Sequence, residues 1–165
     1  MILITAGSSL PFCGIDSQQL VAAGFAALGN VVRVTAISAN YATPAWPDET
    51  DPPFINAAAI VETDLDATVL MAALHAIEQG FGRERRVRNA PRTLDLDLIA
   101  FDDVVSDAGD SGPILPHPAM QKREFVLAPL SEIAPDWRHP ETGETVAAML
   151  SALPERKARK IARKS

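Results

Sequence analysis

In the stretch Ala90-Pro91-Arg92-Thr93-Leu94-Asp95-Leu96-Asp97-Leu98-Ile99, two carboxylates stand two positions apart inside an otherwise apolar run, with an arginine three residues before the first. If the run is a strand, Asp95 and Asp97 share one face while Leu94, Leu96 and Leu98 share the other, because side chains alternate. Carboxylates so placed, about 7 Å apart by strand geometry, repel one another unless a cation lies between them. Mg2+ suits such a pair: it takes oxygen ligands, keeps several waters, and is completed by substrate phosphates rather than by a full protein cage. Upstream lie Arg83, Arg85, Arg86, Arg88 and Arg92. Their planar donors match phosphate oxygens bidentately and stay charged at any relevant pH. Phosphoryl transfer needs little beyond such positioning and charge neutralisation, and two metal ions can clamp both sides of a phosphorus under attack. An isolated Asp-x-Asp is more often a solvated strand face. The arginine run beside it turns the reading toward a polyanion held with metal.

The periodicity of the chain indicates which elements hold these side chains. Residues 2–6 read as a buried strand ending at Gly7-Ser8-Ser9. A helix is expected over 17–28, with Leu20, Gly24 or Phe25, and Leu28 near one face and Asp16 or Ser17 as its N-cap. Residues 31–38 alternate as a strand. "YATPAWPDETDPPF" (41–54) carries four prolines and reads as a long loop, the kind that is commonly functional. Residues 54–62 form the next strand. The 66–79 segment is a helix with Leu70, Leu74 and Ile77 on its apolar stripe and His75 and Glu78 together on a flank. The arginine loop 80–92, the strand 93–101, a turn at 102–103 and a loop at 106–113 follow. Residues 118–132 are expected as two helical pieces broken at Pro129, and 145–153 as a last helix. The order β-α-β, loop, β-α, loop, β predicts an α+β, ferredoxin-like α/β sandwich: an antiparallel sheet with helices packed on it and an open face for ligands. Asp95 and Asp97 belong on that open face.

Composition narrows the class further. At 165 residues the chain is expected to form one domain, 1–165. Hydrophobic residues make up 47% and charged ones 22%, an ordinary globular profile. The net charge of −6 argues against a general nucleic-acid binder. Six of the 15 basic residues (Arg156, Lys157, Arg159, Lys160, Arg163, Lys164) fall at the C-terminal end, leaving nine against 21 acids elsewhere, or −12. The basic segment 155–165 is expected as a solvated tail. A ferredoxin-like RNA-binding module is disfavoured because aromatics are only 5% and acids on the open face would repel phosphate. The single cysteine, Cys13, offers no internal disulfide and no zinc cluster. No GxxxxGK[ST] is present, and "GFGRER" lacks the setting of a dinucleotide loop. "MILITAGSS" has no basic n-region and too few apolar residues for a signal or a span, so a cytoplasmic protein with no membrane partner is expected.

"APRTLDLDLIAFDD", followed by "LPHPAMQKREFVLAPLSEIAP" and preceded by "ATPAW" and "DPPFINAA", resembles the 6-hydroxymethyl-7,8-dihydropterin pyrophosphokinases of folate biosynthesis. The likeness runs from about Tyr41 to His139 and continues more weakly to "GSS". It implies a ferredoxin-like core and transfer of the β,γ-pyrophosphoryl group of ATP to the pterin hydroxymethyl oxygen, with AMP released. It further implies two Mg2+ ions on Asp95 and Asp97, with ATP as co-substrate, and Arg83 and Arg92 as catalytic arginines. Arg85, Arg88, Arg123 and His117 would contact phosphates or nucleotide, and His75 and Glu78 would line the nucleotide wall. Thr43, Pro44, Trp46, Asn56 and the Asp95 region would meet the edge of the pterin, and Phe54 and Phe125 its two faces. For Phe54 and Phe125 plain core packing is the competing reading. The chain departs from the family pattern at Asn89, where an aromatic is frequent, and at His75, where Gln is frequent. It departs again at Ser9, in the arginine loop, which is one residue shorter than in some members, and at Gly112-Pro113-Ile114. Only small-molecule partners are expected, for a monomer that binds no nucleic acid.

Overall fold

Ile2, Ile4 and Ala6 alternate with Leu3, Thr5 and Gly7 along β1 (Ile2–Ser8), and the two sets end in different surroundings. The computed structural model describes residues 1–45, 50–83, 93–107 and 112–162. Of the expected site residues, Trp46, Arg85, Arg88 and Arg92 lie outside the described residues, as does Asn89.

The other strands are β2 (Arg33–Ile37), β3 (Asn40–Thr43), β4 (Phe54–Glu62), β5 (Asp95–Phe101) and β6 (Arg159–Ile161); the helices are α1 (Ser17–Leu28), α2 (Ala67–Gly80), α3 (Glu124–Ile133) and α4 (Val146–Ala152). All pairings between strands are antiparallel, in the order β5-β1-β4-β3-β6 with β2 also on β4. Without β3 and β6 this is the ferredoxin-like arrangement expected: β1 and β4 central, β5 and β2 at the edges.

One face of the sheet presents Ile2, Ile4, Ala6, Ala57, Ala59, Leu96 and Leu98 to Val21, Phe25 and Leu28 of α1 and to Leu70 and Leu74 of α2. Each helix begins where a side chain satisfies its first free N–H groups. Asp16 accepts from Gln18 and Gln19, and Gln19 accepts in return from Asp16 N–H. Asp66 accepts from Val69 N–H. Each buried leucine contributes about 1.5–3 kcal/mol, so this face supplies much of the fold's stability.

The opposite face is divided. Leu3, Ala58, Ile99 and Ala100 are covered by Val126, Leu127 and Leu130 of α3 and by Val146 and Met149 of α4. Thr5, Gly7, Asn56, Asp95 and Asp97 share that face beyond the covered part. A bulge makes the division possible: Leu3 pairs with Ala100 and Ile4 with Leu98, leaving Ile99 as the extra residue of β5. The open surface is thus one end of a face, narrower than simple alternation implies.

Three local expectations change. Tyr41, Ala42 and Thr43, read as loop, form β3 on Phe54, Ile55 and Asn56. Ser38 bridges the gap between β2 and β3: its Oγ accepts from Ala58 N–H. α3 continues through Pro129 and breaks instead at Arg123, whose backbone is extended. Burial of Val126, Leu127 and Leu130 offsets the one backbone bond a proline removes. The basic tail is not wholly solvated, since Arg159–Ile161 pairs with Asn40, Tyr41 and Ala42, though Arg159 and Lys160 stay exposed.

Candidate active site

Strand β5 presents Asp95 and Asp97 on one side, opposite Gly7 and Thr5 of β1, while Leu94, Leu96 and Leu98 are buried on the other. Burial pushes the Asp97 carboxyl above the usual carboxylate range, and the charge of Asp95 pushes it further; His117, Arg123 and Arg83 pull it partly back. The fold therefore holds two carboxyl groups that a cation would relieve.

Helix α2 contributes the next layer. Glu78 is 1% exposed, and its Oε1 accepts from Leu96 N–H at 2.7 Å. The resemblance places it on the nucleotide wall. It instead stands inside, beneath β5. Burial raises its carboxyl to about 7, and Asp95 adds to the rise, while the Leu96 N–H and Arg83 oppose it. His75, three residues earlier, stays half-buried on α2. Just past the helix, Gly82 takes a left-handed backbone (φ +73°), and the Phe12 ring lies where a Cβ would project. That turn sends Arg83 back toward the helix, where its guanidinium contacts both Glu78 and Asp95. In this arrangement Arg83 is the counter-ion of the acid pair.

A second group arrives from the segment after β5. His117 N–H donates to Ile99 O at 2.8 Å, which holds the imidazole beside the strand. Arg123 Nη1 approaches His117 Nε2 at 3.5 Å and the guanidinium lies 5.7 Å from the Phe125 ring centroid. His117 Nδ1 is buried without a hydrogen-bond partner among the described residues, as is Thr93 Oγ1. With Nε2 facing a guanidinium, Nδ1 is the ring nitrogen placed to donate, in the neutral ring with its proton on Nδ1 or in the imidazolium, to an anionic oxygen. Phe125 is 37% exposed, so it does not pack into the core.

The third group lies across β1. Asn56 Nδ2 donates to Thr43 Oγ1 at 3.0 Å, and both residues are buried; Phe54 pairs with Thr43, and Pro44 is exposed at the strand end. Gly7 pairs with Asn56 on one side and Asp95 on the other. A Cβ on Gly7 would come 3.1 Å from Asn56 Oδ1, so the missing side chain leaves a floor between amide and carboxylate. Strand spacing puts these two about 10 Å apart, room for a flat ring. Gly7 and Thr5 were not singled out from the sequence. The alternation of "LITAGS" against the buried Ile4 and Ala6 already carried that signal.

The structure thus brings together Arg83, Asp95, Asp97, His117 and Arg123, with Thr43, Phe54 and Asn56 on the neighbouring strands of the same sheet. Two carboxylates without a third ligand also describe the donor set well: no group of three or more His, Cys, Asp or Glu able to hold a metal occurs among the described residues. A carboxylate pair on one strand face is a donor set that Mg2+ could use, because that ion leaves positions for water and phosphate oxygens.

The profile of the family 7,8-dihydro-6-hydroxymethylpterin-pyrophosphokinase (HPPK) matches residues 3–135. A 2-amino-4-hydroxy-6-hydroxymethyldihydropteridine pyrophosphokinase of Methylorubrum extorquens is 40% identical over 122 residues, 74% of this chain and 75% of the relative. The enzyme of that name from Pseudomonas aeruginosa is 40% identical over 124 residues, 74% of each chain. Among solved structures, an HPPK-DHPS in complex with substrates superposes with a TM-score of 0.67 at 12% identity, covering 92% of this chain and 43% of that one. The Plasmodium falciparum HPPK-DHPS gives 0.67 at 11% identity, over 91% and 44%. The fold, the paired aspartates and the match over residues 3–135 agree, and the chain belongs to the 7,8-dihydro-6-hydroxymethylpterin-pyrophosphokinase family.

Proposed function

We propose that this chain transfers the terminal diphosphate of ATP to the hydroxymethyl oxygen of 6-hydroxymethyl-7,8-dihydropterin, releasing AMP, with Asp95 and Asp97 holding two Mg2+ ions. The observation that carries the reading is the row Asn56–Gly7–Asp95–Asp97 across three adjacent strands, an amide, a bare floor and two carboxylates on one open surface. The ring would lie on the floor with its amide-like edge toward Asn56 and Thr43, and its hydroxymethyl arm would then point along β5 toward the aspartates. Phe54 and Phe125 offer apolar faces for it. Membership of the family supports ATP as the donor.

In the reaction the pterin O–H loses its proton, a bond forms from that oxygen to the β-phosphorus, and the bond from the β-phosphorus to the oxygen bridging it to the α-phosphorus breaks with AMP as leaving group. Bound Mg2+ would supply Lewis-acid polarisation and charge neutralisation at the phosphates. The chain's own residues do the rest. Asp95 and Asp97 fix where cations and phosphates gather. Arg83, Arg123 and Arg92 neutralise charge spreading over the transferred group. His117 offers its Nδ1 proton to a phosphate oxygen. Arg85 and Arg88 would extend the phosphate contacts, His75 the nucleotide wall, and Trp46 and Pro44 the rim over the pterin. Glu78 is assigned a different role: it orients Arg83 and anchors β5 through Leu96 N–H. Incubation with ATP, Mg2+ and the reduced pterin should produce AMP in step with pterin diphosphate. ADP as product, or no turnover, overturns the reading.

A further inference from the structure

The C-terminal strand makes contacts out of proportion to its three residues. Glu124 sits in the chain between Arg123 and Phe125, and its Oε2 accepts from both Lys157 N–H (2.7 Å) and Ala158 N–H (3.0 Å). Two turns further along α3, Glu132 accepts from Ala39 N–H (3.2 Å) and Tyr41 O–H (3.0 Å), and Lys160 Nζ lies 3.1 Å from the same carboxylate. Between these grips β6 runs antiparallel to β3, pairing Ile161 with Asn40, Lys160 with Tyr41 and Arg159 with Ala42. The next residue of β3 is Thr43, hydrogen-bonded to Asn56.

Two walls of the proposed pocket come from separate parts of the fold: Phe125 from the first turn of α3, and Thr43 and Asn56 from β3 and β4. α3 packs directly on β4 through Val126, Leu127 and Leu130 against Ala58, and β6 adds a second tie between α3 and β3. The α3 wall has no side-chain cap at Arg123. Glu124 instead spends its carboxylate on the backbone that leads into β6. The β3 wall is a four-residue strand whose outer edge is satisfied by β6 alone among the described strands.

We propose that β6, held by Glu124 and Glu132, is a positioning device for the pterin pocket: it ties the Phe125 wall to the Thr43–Asn56 wall and sets the width of the slot between them. The inference rests on the pocket assignment made above. Neither glutamate touches substrate, so both are positioning residues. A ring slot is sensitive to this, since edge hydrogen bonds and ring stacking both weaken steeply when their partners are displaced.

Steady-state kinetics of the full chain test it, with ATP and pterin varied separately. Glu124→Ala and deletion of residues 155–165 are expected to raise the KM for pterin roughly tenfold while kcat changes by less than about twofold, the signature of lost binding and not lost chemistry. Glu124→Gln keeps the carbonyl oxygen that accepts both N–H groups and is expected to restore the KM to within about twofold of the parent. A pterin KM unchanged in Glu124→Ala overturns the proposal, as does failure of Glu124→Gln to restore it, because a purely structural role would lower the melting temperature without a selective change in pterin KM. Asn56→Ala, measured in parallel, separates the two levels. If it leaves the pterin KM unchanged, the pocket assignment itself is wrong; if it raises the KM and Glu124→Ala does not, only the role of β6 is.

Discussion

Gly7 shows how a single absent side chain shapes the site. It occupies the one position on β1 that faces both Asn56 and Asp95, and a methyl group there would stand 3.1 Å from Asn56 Oδ1. Strand interiors tolerate Ala better than Gly, whereas the methyl presses on an amide pinned by Thr43; the two oppose, so Gly7→Ala should change the melting temperature little. The same methyl fills the floor on which the pterin is placed, and kcat/KM for the pterin should fall by about ten- to a hundredfold. A melting curve and a pterin titration check both halves, and unaltered kinetics would move the ring elsewhere. Much of the residue-level placement was legible in the chain. The spacing of Asp95 and Asp97 placed both on one face, and Phe125 proved exposed and outside the core. Glu78 was not legible. Its helical spacing puts it beside His75, but spacing does not reveal that the Leu96 N–H needs an acceptor beneath the strand. Only tertiary packing creates that demand.

At the scale of elements, helices α1, α2 and α4 were readable because their signals are local: Asp16, Asp66 and Thr145 each cap within three residues. Strands β3 and β6 were not, because each is defined by a partner distant in sequence and carries little hydrophobic alternation of its own. Their junction can be followed through Tyr41, the chain's only tyrosine. Burial, then the hydrogen bond and charge of Glu132, raise its phenol from 10.0 to about 12. The sign follows from the proton balance: a group with a raised folded value contributes stability that is fully present below its ordinary 10.0 and is lost as pH rises through about 12. Glu132 is the counterpart. Burial would raise its carboxyl, but Lys160, the Ala39 N–H and Tyr41 together hold it below the usual range, so its contribution is lost on the acid side as it is protonated. Phenolate absorbance should therefore titrate near 12 in the parent and lower in Glu132→Ala, yet still above the ordinary 10.0, because burial, the larger cause, remains. Equal midpoints in the two proteins would mean that the carboxylate does not hold β3 to α3 in solution.

Over the whole molecule, the two faces of one sheet divide stability from chemistry, and β5 carries both in alternate residues. Leu96 and Leu98 lie in the core under α1 and α2, whereas Asp97 lies on the open end of the opposite face, where burial and Asp95 hold its carboxyl above the usual range. Raised values of this kind mean that the fold resists the charge the site requires, a conflict typical of functional positions. Two neighbouring substitutions should then behave in opposite ways. Leu96→Ala removes buried apolar volume and should cost about 2–5 kcal/mol of stability, while any protein that remains folded keeps the full set of site side chains and makes AMP. Asp97→Asn removes one of two repelling carboxylates, and in EDTA its melting temperature should equal or exceed that of the parent, yet it should make no AMP at any Mg2+ concentration. Metal removal from the parent should abolish turnover and lower the melting temperature by no more than the lost ion binding, since no core contact among the described residues passes through Asp95 or Asp97. Thermal melts in EDTA and AMP release in Mg2+ on the three proteins decide the matter. A lower melting point for Asp97→Asn than for the parent would show that the aspartate serves the fold, and the separation of the two faces would fail at the residue on which it most depends.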